Sequence, residues 1–376
     1  MQTRRAFIRS TTTAATLGMT AAALPTQAQT VEWRNRHDSM SYRQLGRTGF
    51  MVSEIVMGGN EINPDNYKHV FAAIDKGLNY LDTAPAYGRG KSELGFAKVL
   101  REVGRDHVFL NSKISIWDNH RNEKFKSIFD SLDESVQKKL LSQARVRIEQ
   151  KQADHPEYLV NYFGSQKREL EAAVLSNVME PEYGKRIDSN KNYKQVILNS
   201  VDESLQRLGT EYLDIVMCPH GASSEEELTL YPEVREAFEQ LKQSGKVRHL
   251  GVSSHSDPAG VLKGAMKAGI YSVAMVAYNV VNHSFLYSTI KDAHDQGIGV
   301  IAMKVARPVH PGPGRGPVDP NRIEKIKPAI SGTWSIPQKA YLWALKNPYL
   351  SAAISNMTNL EQVEANLKLP LALRRS

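Results

Sequence analysis

The chain has 376 residues, 41% of them hydrophobic, and a formal net charge of +8. That is enough for one large α/β barrel or two ordinary domains, and after the first thirty residues no apolar run is long enough to span a membrane. The lysines and arginines are interspersed with acids, which argues against a nucleic-acid partner, and the single cysteine, Cys218, excludes an intrachain disulfide and a cysteine-ligated iron–sulfur cluster.

The N-terminus runs Met1-Gln-Thr-Arg-Arg-Ala-Phe-Ile-Arg-Ser10 into a weakly apolar Ala/Thr/Leu stretch ending at Leu24, and Pro25-Thr-Gln-Ala28 follows with small residues suited to cleavage. Paired arginines, Phe-Ile and a third basic residue resemble a bacterial twin-arginine export signal over residues 1–28. The resemblance implies a periplasmic protein that meets the twin-arginine translocase during export. Losing Arg4, Arg5 and Arg9 with no acid takes the charge from +8 to +5. No cysteine adjoins the cleavage site, so a lipoprotein anchor is not expected.

From Tyr42 onward short apolar runs alternate with helical patterns, as in a βα barrel. Ser41–Val52 predicts an opening hairpin with Gly-Arg-Thr-Gly at its tip. Strand candidates follow at Glu54–Met57, Tyr80–Thr83, Val108–Ile114, Tyr212–Met217, Leu250–Ser253, Ser272–Tyr278, Gly299–Met303 and Ala352–Ser355. Amphipathic helical stretches lie between them, among others Tyr67–Lys76, Glu93–Glu102, Val234–Gln243 and Phe285–Gln296. Gly58-Gly59 lacks the Gly-x-Gly-x-x-Gly spacing of a doubly wound dinucleotide fold, which favours a (β/α)8 TIM barrel over residues 41–376.

Residues 114–195 are too many for a barrel connection, which usually takes about two to six. Lys124–Gln150 and Lys167–Val178 are charged and amphipathic, and Trp117, Tyr158, Tyr162 and Phe163 add aromatics. The reading is a helical insertion, 117–192, after the third barrel strand, where it would cover or flank the site as a lid. A second irregular stretch, Arg307–Pro320, is rich in proline and glycine and belongs on the same face.

Four residues carry the chemistry. Asp82 and Tyr87 share the segment Asn79-Tyr-Leu-Asp-Thr-Ala-Pro-Ala-Tyr-Gly88, Lys113 ends an apolar strand, and His220 follows Asp-Ile-Val-Met-Cys-Pro. Each falls at the C-terminal end of a strand, where such barrels build active sites. Singly they are a capping aspartate, a surface lysine and a structural histidine. Together they form a proton-donating device, because an ammonium beside a phenol stabilises the phenolate, a carboxylate holds the ammonium, and a histidine orients the oxygen that is protonated. Carbonyl reduction or alcohol oxidation suits it.

These segments, with Tyr42-Arg-Gln-Leu-Gly-Arg-Thr-Gly49 and Ser204–Ile215, resemble the aldo-keto reductase family from Tyr42 to about Asn366. The resemblance implies that Tyr87 is the general acid/base, that Asp82 and Lys113 tune it, and that His220 orients the carbonyl. It further implies an NADP or NAD cofactor near Gly59, Ser253, Ser254, Lys304, Asn356, Thr358, Gln362 and Asn366, and no metal. The family's Ser-Asn pair is Ser253-Ser254 here, its glutamine aligns with Met275, and its stacking aromatic aligns with Met303. At the adenosine end Asn356 and Gln362 are neutral where NADP-preferring members often place a cation, and Ala365 stands where an acid is usual. The substrate class is a carbonyl or alcohol, with a sugar expected from the compartment alone. Two alternatives stay open: a non-redox lyase, isomerase or hydrolase acting on sugars, and a non-catalytic binding protein.

Overall fold

The computed structural model describes residues 30–310 and 317–374; the expected export signal lies outside them. The chain first forms a small sheet of β1 (Glu32–Trp33), β2 (Tyr42–Gln44) and β3 (Phe50–Ser53), in the order β1-β3-β2. The antiparallel β2–β3 pair is the hairpin expected from the sequence, turned at Gly46 and Gly49, both at positive φ. The parallel strand β1 is an addition, and two residues are too short a signal to detect beforehand.

Eight parallel strands then close into a barrel in chain order: β4 (Ile55–Gly58), β5 (Tyr80–Asp82), β6 (Phe109–Lys113), β7 (Leu213–Met217), β8 (Val247–Ser254), β9 (Val273–Ala277), β10 (Gly299–Met303) and β11 (Ala352–Ser355), with β11 pairing back onto β4. All eight lie where the apolar runs predicted them. Strands packed on both faces need continuous apolar side chains, and β6, β7, β9 and β10 are buried throughout. The hairpin plugs the N-terminal mouth: Phe50 stacks on Phe109 at 4.4 Å between ring centres, and Leu45 and Val52 join the barrel interior.

Around the barrel run α1 (His69–Asp75), α2 (Lys91–Val103), an inserted group, α3 (Trp117–Asp130), α4 (Glu134–Gln150), α5 (Pro156–Leu159) and α6 (Gln166–Tyr183), and then α7 (Gln195–Leu208), α8 (Pro232–Gln243), α9 (Pro258–Ala268) and α10 (His283–Asp295). Helices α11 (Pro320–Ile326), α12 (Ile336–Leu345), α13 (Leu360–Leu367) and α14 (Leu369–Arg374) complete it. The outer helices bury one stripe each, as α8 does through Val234, Ala237, Phe238 and Leu241.

Within the insertion the expected helix Lys124–Gln150 is two helices, broken at 131–133. Asp133 is extended, and Gln137 Nε2 donates to the Phe129 and Leu132 carbonyls, so the break satisfies the backbone that a continuous helix would have paired. Trp117, Phe125, Leu140, Ile148 and Leu170 join the core shared with the barrel helices, so the insertion is packed into the body. Its inner edge is tied to three loops at the C-terminal rim. Tyr158 Oη donates to Asp257 Oδ1 (2.5 Å) and accepts from the Ala259 N–H (2.9 Å). Asn279 Nδ2 donates to Tyr162 Oη (2.6 Å), and Asn177 Nδ2 donates to Ser224 Oγ (2.6 Å).

Candidate active site

Asp82 ends β5, Tyr87 sits in the turn leading to α2, Lys113 ends β6, and His220 lies three residues beyond β7. Parallel strands in register bring these ends together, Asp82 opposite Asn111 and Lys113 opposite Met217. Lys113 Nζ donates to Asp82 Oδ1 (2.5 Å) and to the Thr83 carbonyl (2.9 Å). The ammonium lies 4.6 Å from the centre of the Tyr87 ring, and the Tyr87 and His220 rings meet edge to face at 5.9 Å.

The electrostatics of the group differ in one respect from expectation. Burial raises the Tyr87 phenol above its ordinary value of 10, outweighing the pull of Lys113, with the Asp82 charge adding to the rise. Burial also works against the Lys113 charge, but Asp82 and Tyr87 together raise its pKa, so it remains a cation. His220 is driven well below 6.5 by burial, with Lys113 and Lys304 repelling its charge. The site therefore holds a protonated phenol, an ammonium and a neutral imidazole at neutral pH.

Two further residues complete it. Asn111 Nδ2 donates to the same Asp82 oxygen (2.5 Å), and Ser115 Oγ lies 2.7 Å from His220 Nδ1. The Ser115 hydroxyl also accepts from the Ala86 N–H (3.4 Å), and its own proton is placed to donate to Nδ1. A neutral ring that accepts at Nδ1 carries its hydrogen on Nε2. The alternation of a strand was the available signal, since 111, 113 and 115 fall on one side of the chain.

Tyr87 and His220 open onto a cavity of about 690 Å³. Its floor includes Met275 and Met303, and the insertion contributes Asp118, Asn119, Asn122, Tyr162, Phe163 and Glu169. Arg307 and His310 also line it, which puts the start of the proline-rich stretch on the expected face.

The sequence model of the aldo/keto reductase family matches residues 54–144 and 157–309, most of the barrel. The chain belongs to the aldo/keto reductase family. An aldo-keto reductase of Fusarium vanettenii is 26% identical over 70% of this chain, a match spanning 63% of the fungal protein. The L-galactose dehydrogenase of Arabidopsis thaliana is 24% identical, over 86% of each chain. In three dimensions the barrel matches an aldo-keto reductase from Klebsiella pneumoniae solved in complex with NADPH, with a TM-score of 0.56, 19% identity, and 89% of this chain and 94% of that one covered. At that identity the likeness carries the fold.

For this aldo/keto reductase the nucleotide-side residues divide into four groups. Lys304 and Asn356 line the cavity beside the methionine floor. Ser253 and Ser254, at the end of β8, are buried with hydroxyls that have no partner among the described residues. Neither lines the cavity, but orphaned buried hydroxyls are costly unless a ligand satisfies them, so they suit a nicotinamide carboxamide despite the missing Asn. Thr358, Gln362 and Asn366 serve local structure: the Thr358 N–H donates to Gln362 Oε1 (2.9 Å), the Gln362 N–H to Asn359 Oδ1 (2.9 Å), and Asn366 Nδ2 to Ser355 Oγ (3.0 Å). Helix α13 thus caps itself at the adenosine end of the expected nucleotide site. Gly59 does not line the cavity; a Cβ there would lie 2.4 Å from the Asp82 carbonyl oxygen, so packing accounts for this glycine.

Proposed function

We propose that this chain is an NAD(P)-dependent oxidoreductase that interconverts a carbonyl and an alcohol. The observation that carries the reading is the buried Asp82–Lys113 pair set against the Tyr87 phenol, with a neutral His220 alongside. A bound nicotinamide nucleotide supplies or accepts the hydride. Ser253, Ser254, Lys304 and Asn356 are the residues that would hold it.

Tyr87 gives its proton to the carbonyl oxygen in reduction and recovers it in oxidation. Lys113 stabilises the phenolate that remains, and Asp82, fixed by Asn111, keeps the ammonium in place. Neutral His220 is no acid at neutral pH, and its Nε2–H donates a hydrogen bond to the substrate oxygen. The polar wall of Asp118, Asn119, Asn122 and Glu169 supports a hydroxylated substrate such as a sugar, since its amide and carboxyl groups offer hydroxyls both donors and acceptors.

The basic Arg4-Arg5 start supports export by the twin-arginine route to the periplasm, with the nucleotide loaded beforehand. The rim contacts of Tyr158 and Tyr162 support a lid that holds it. The test is spectroscopy and mass spectrometry of purified mature protein, with NAD(P)H turnover of an aldehyde panel. Bound nucleotide and turnover that Tyr87→Phe abolishes are expected. Protein without nucleotide sinks the retained-cofactor reading, and turnover that survives Tyr87→Phe sinks the mechanism.

A further inference from the structure

His255 follows Ser253-Ser254 at the end of β8 and lines the cavity with Tyr87, His220, Met303 and Lys304. The insertion holds it on two sides. Gln166 Nε2 donates to its carbonyl (3.1 Å), and Phe163 meets its ring edge to face at 5.4 Å, with Tyr162 beyond at 6.5 Å. His220 has Ser115 at Nδ1, whereas no described residue hydrogen-bonds the ring nitrogens of His255. The ring is partly exposed, and the surface it keeps faces the cavity.

We propose that His255 is a substrate-specificity residue whose ring, held at the cavity wall by the insertion, hydrogen-bonds a hydroxyl of a hydroxylated carbonyl substrate. The proposal rests on the oxidoreductase reading above. Burial, with the nearby Lys304 and Lys113 charges, drives the pKa of His255 well below 6.5, so its ring is neutral. A neutral imidazole offers one donor and one acceptor, the same pair a hydroxyl offers in return. Asn119, Asn122 and Glu169 line the same cavity and add donors and acceptors for further hydroxyls. On the oxidoreductase reading the orphaned Ser253 and Ser254 hydroxyls are the polar groups offered to the nucleotide, which leaves His255 to the substrate.

His255→Phe keeps a ring to pack against Phe163 and removes both nitrogens, and His255→Gln restores a donor and an acceptor. Aldehydes paired by a hydroxyl next to the carbonyl are the probes, lactaldehyde against propanal and glyceraldehyde against 3-hydroxypropanal. The wild type is expected to prefer the hydroxylated member of each pair. His255→Phe is expected to reduce that preference about 3- to 10-fold, the size of one hydrogen bond, through KM. His255→Gln recovers part of it, and NADPH affinity, read by tryptophan fluorescence, stays within about 2-fold. A wild type without the preference, or a His255→Phe protein that keeps it, overturns the proposal. A parallel loss of NADPH affinity also overturns it by assigning His255 to the nucleotide. A wild type that reduces no member of the panel overturns the hydroxylated substrate, and one that also fails to bind NADPH overturns the oxidoreductase reading itself.

Discussion

At the scale of single residues the site separates two groups that proton chemistry often leaves interchangeable. Tyr87 is held above 10 and His220 well below 6.5, so neither changes charge near neutrality. Reduction requires the protonated phenol, so its rate should fall as pH rises through the Tyr87 pKa. The pH profile of kcat/KM for an aldehyde is therefore expected to be flat from about 8 to about 9; a step near 7 belongs to Asp118, which burial and the Glu227 charge push up to about 7 at the cavity wall, and Asp118→Asn should remove it. Tyr87→Phe should lower kcat by roughly 10²- to 10⁴-fold, the usual contribution of a positioned acid. Ser115→Ala tests the tautomer. With no hydroxyl at 2.7 Å from Nδ1 the ring loses its orientation, and kcat should drop about 5- to 10-fold with little change in nucleotide affinity. A loss confined to KM would place Ser115 in substrate binding.

Among the elements, the eight strands and the residues at their C-terminal ends were legible because barrel strands are short apolar runs and the motif residues sit where those runs stop. Lys113 could be placed from the chain alone, since Phe109–Ser112 leads into it. The insertion was legible only as helical. The break at 131–133 depends on the Gln137 side chain reaching backbone carbonyls across a turn, and the rim anchors depend on which loops meet in space. Nothing near Tyr158 in the chain announces Asp257 as its partner. That contact makes its own prediction. Tyr158→Phe removes a buried hydroxyl that bridges Asp257 and the Ala259 N–H, loosening the insertion over the loop after β8. Release of NADPH, followed by stopped-flow fluorescence, is expected to quicken about 5- to 30-fold. An unchanged release rate would deny the insertion any role in retaining the nucleotide.

Across the whole molecule the two ends of the barrel do different work. The upper end spends buried polar groups on chemistry, with orphaned hydroxyls and a desolvated ion pair. The lower end closes its charges among themselves around Asp214, fully buried in β7. Asp214 meets Arg34 at 3.1 Å, Arg105 at 2.7 Å and Arg248 at 2.7 Å, and accepts the Leu110 N–H at 2.9 Å. Glu32 of β1 completes the network through Arg34 (2.8 Å) and Arg248 (2.5 Å), so the small sheet is tied to the barrel floor. Removing one member of a buried ionic cluster leaves its partners desolvated and unpaired, which costs about 3–5 kcal/mol. Asp214→Asn should therefore lower the stability measured by urea unfolding by about that amount, while kcat/KM of the folded fraction stays close to wild type, because the substitution lies at the opposite end of the barrel from Tyr87. Glu32→Gln should cost less, since its carboxylate is one-third exposed and water can replace its partners. Equal losses from the two would mean that the small sheet, not the buried aspartate, is what the barrel floor depends on.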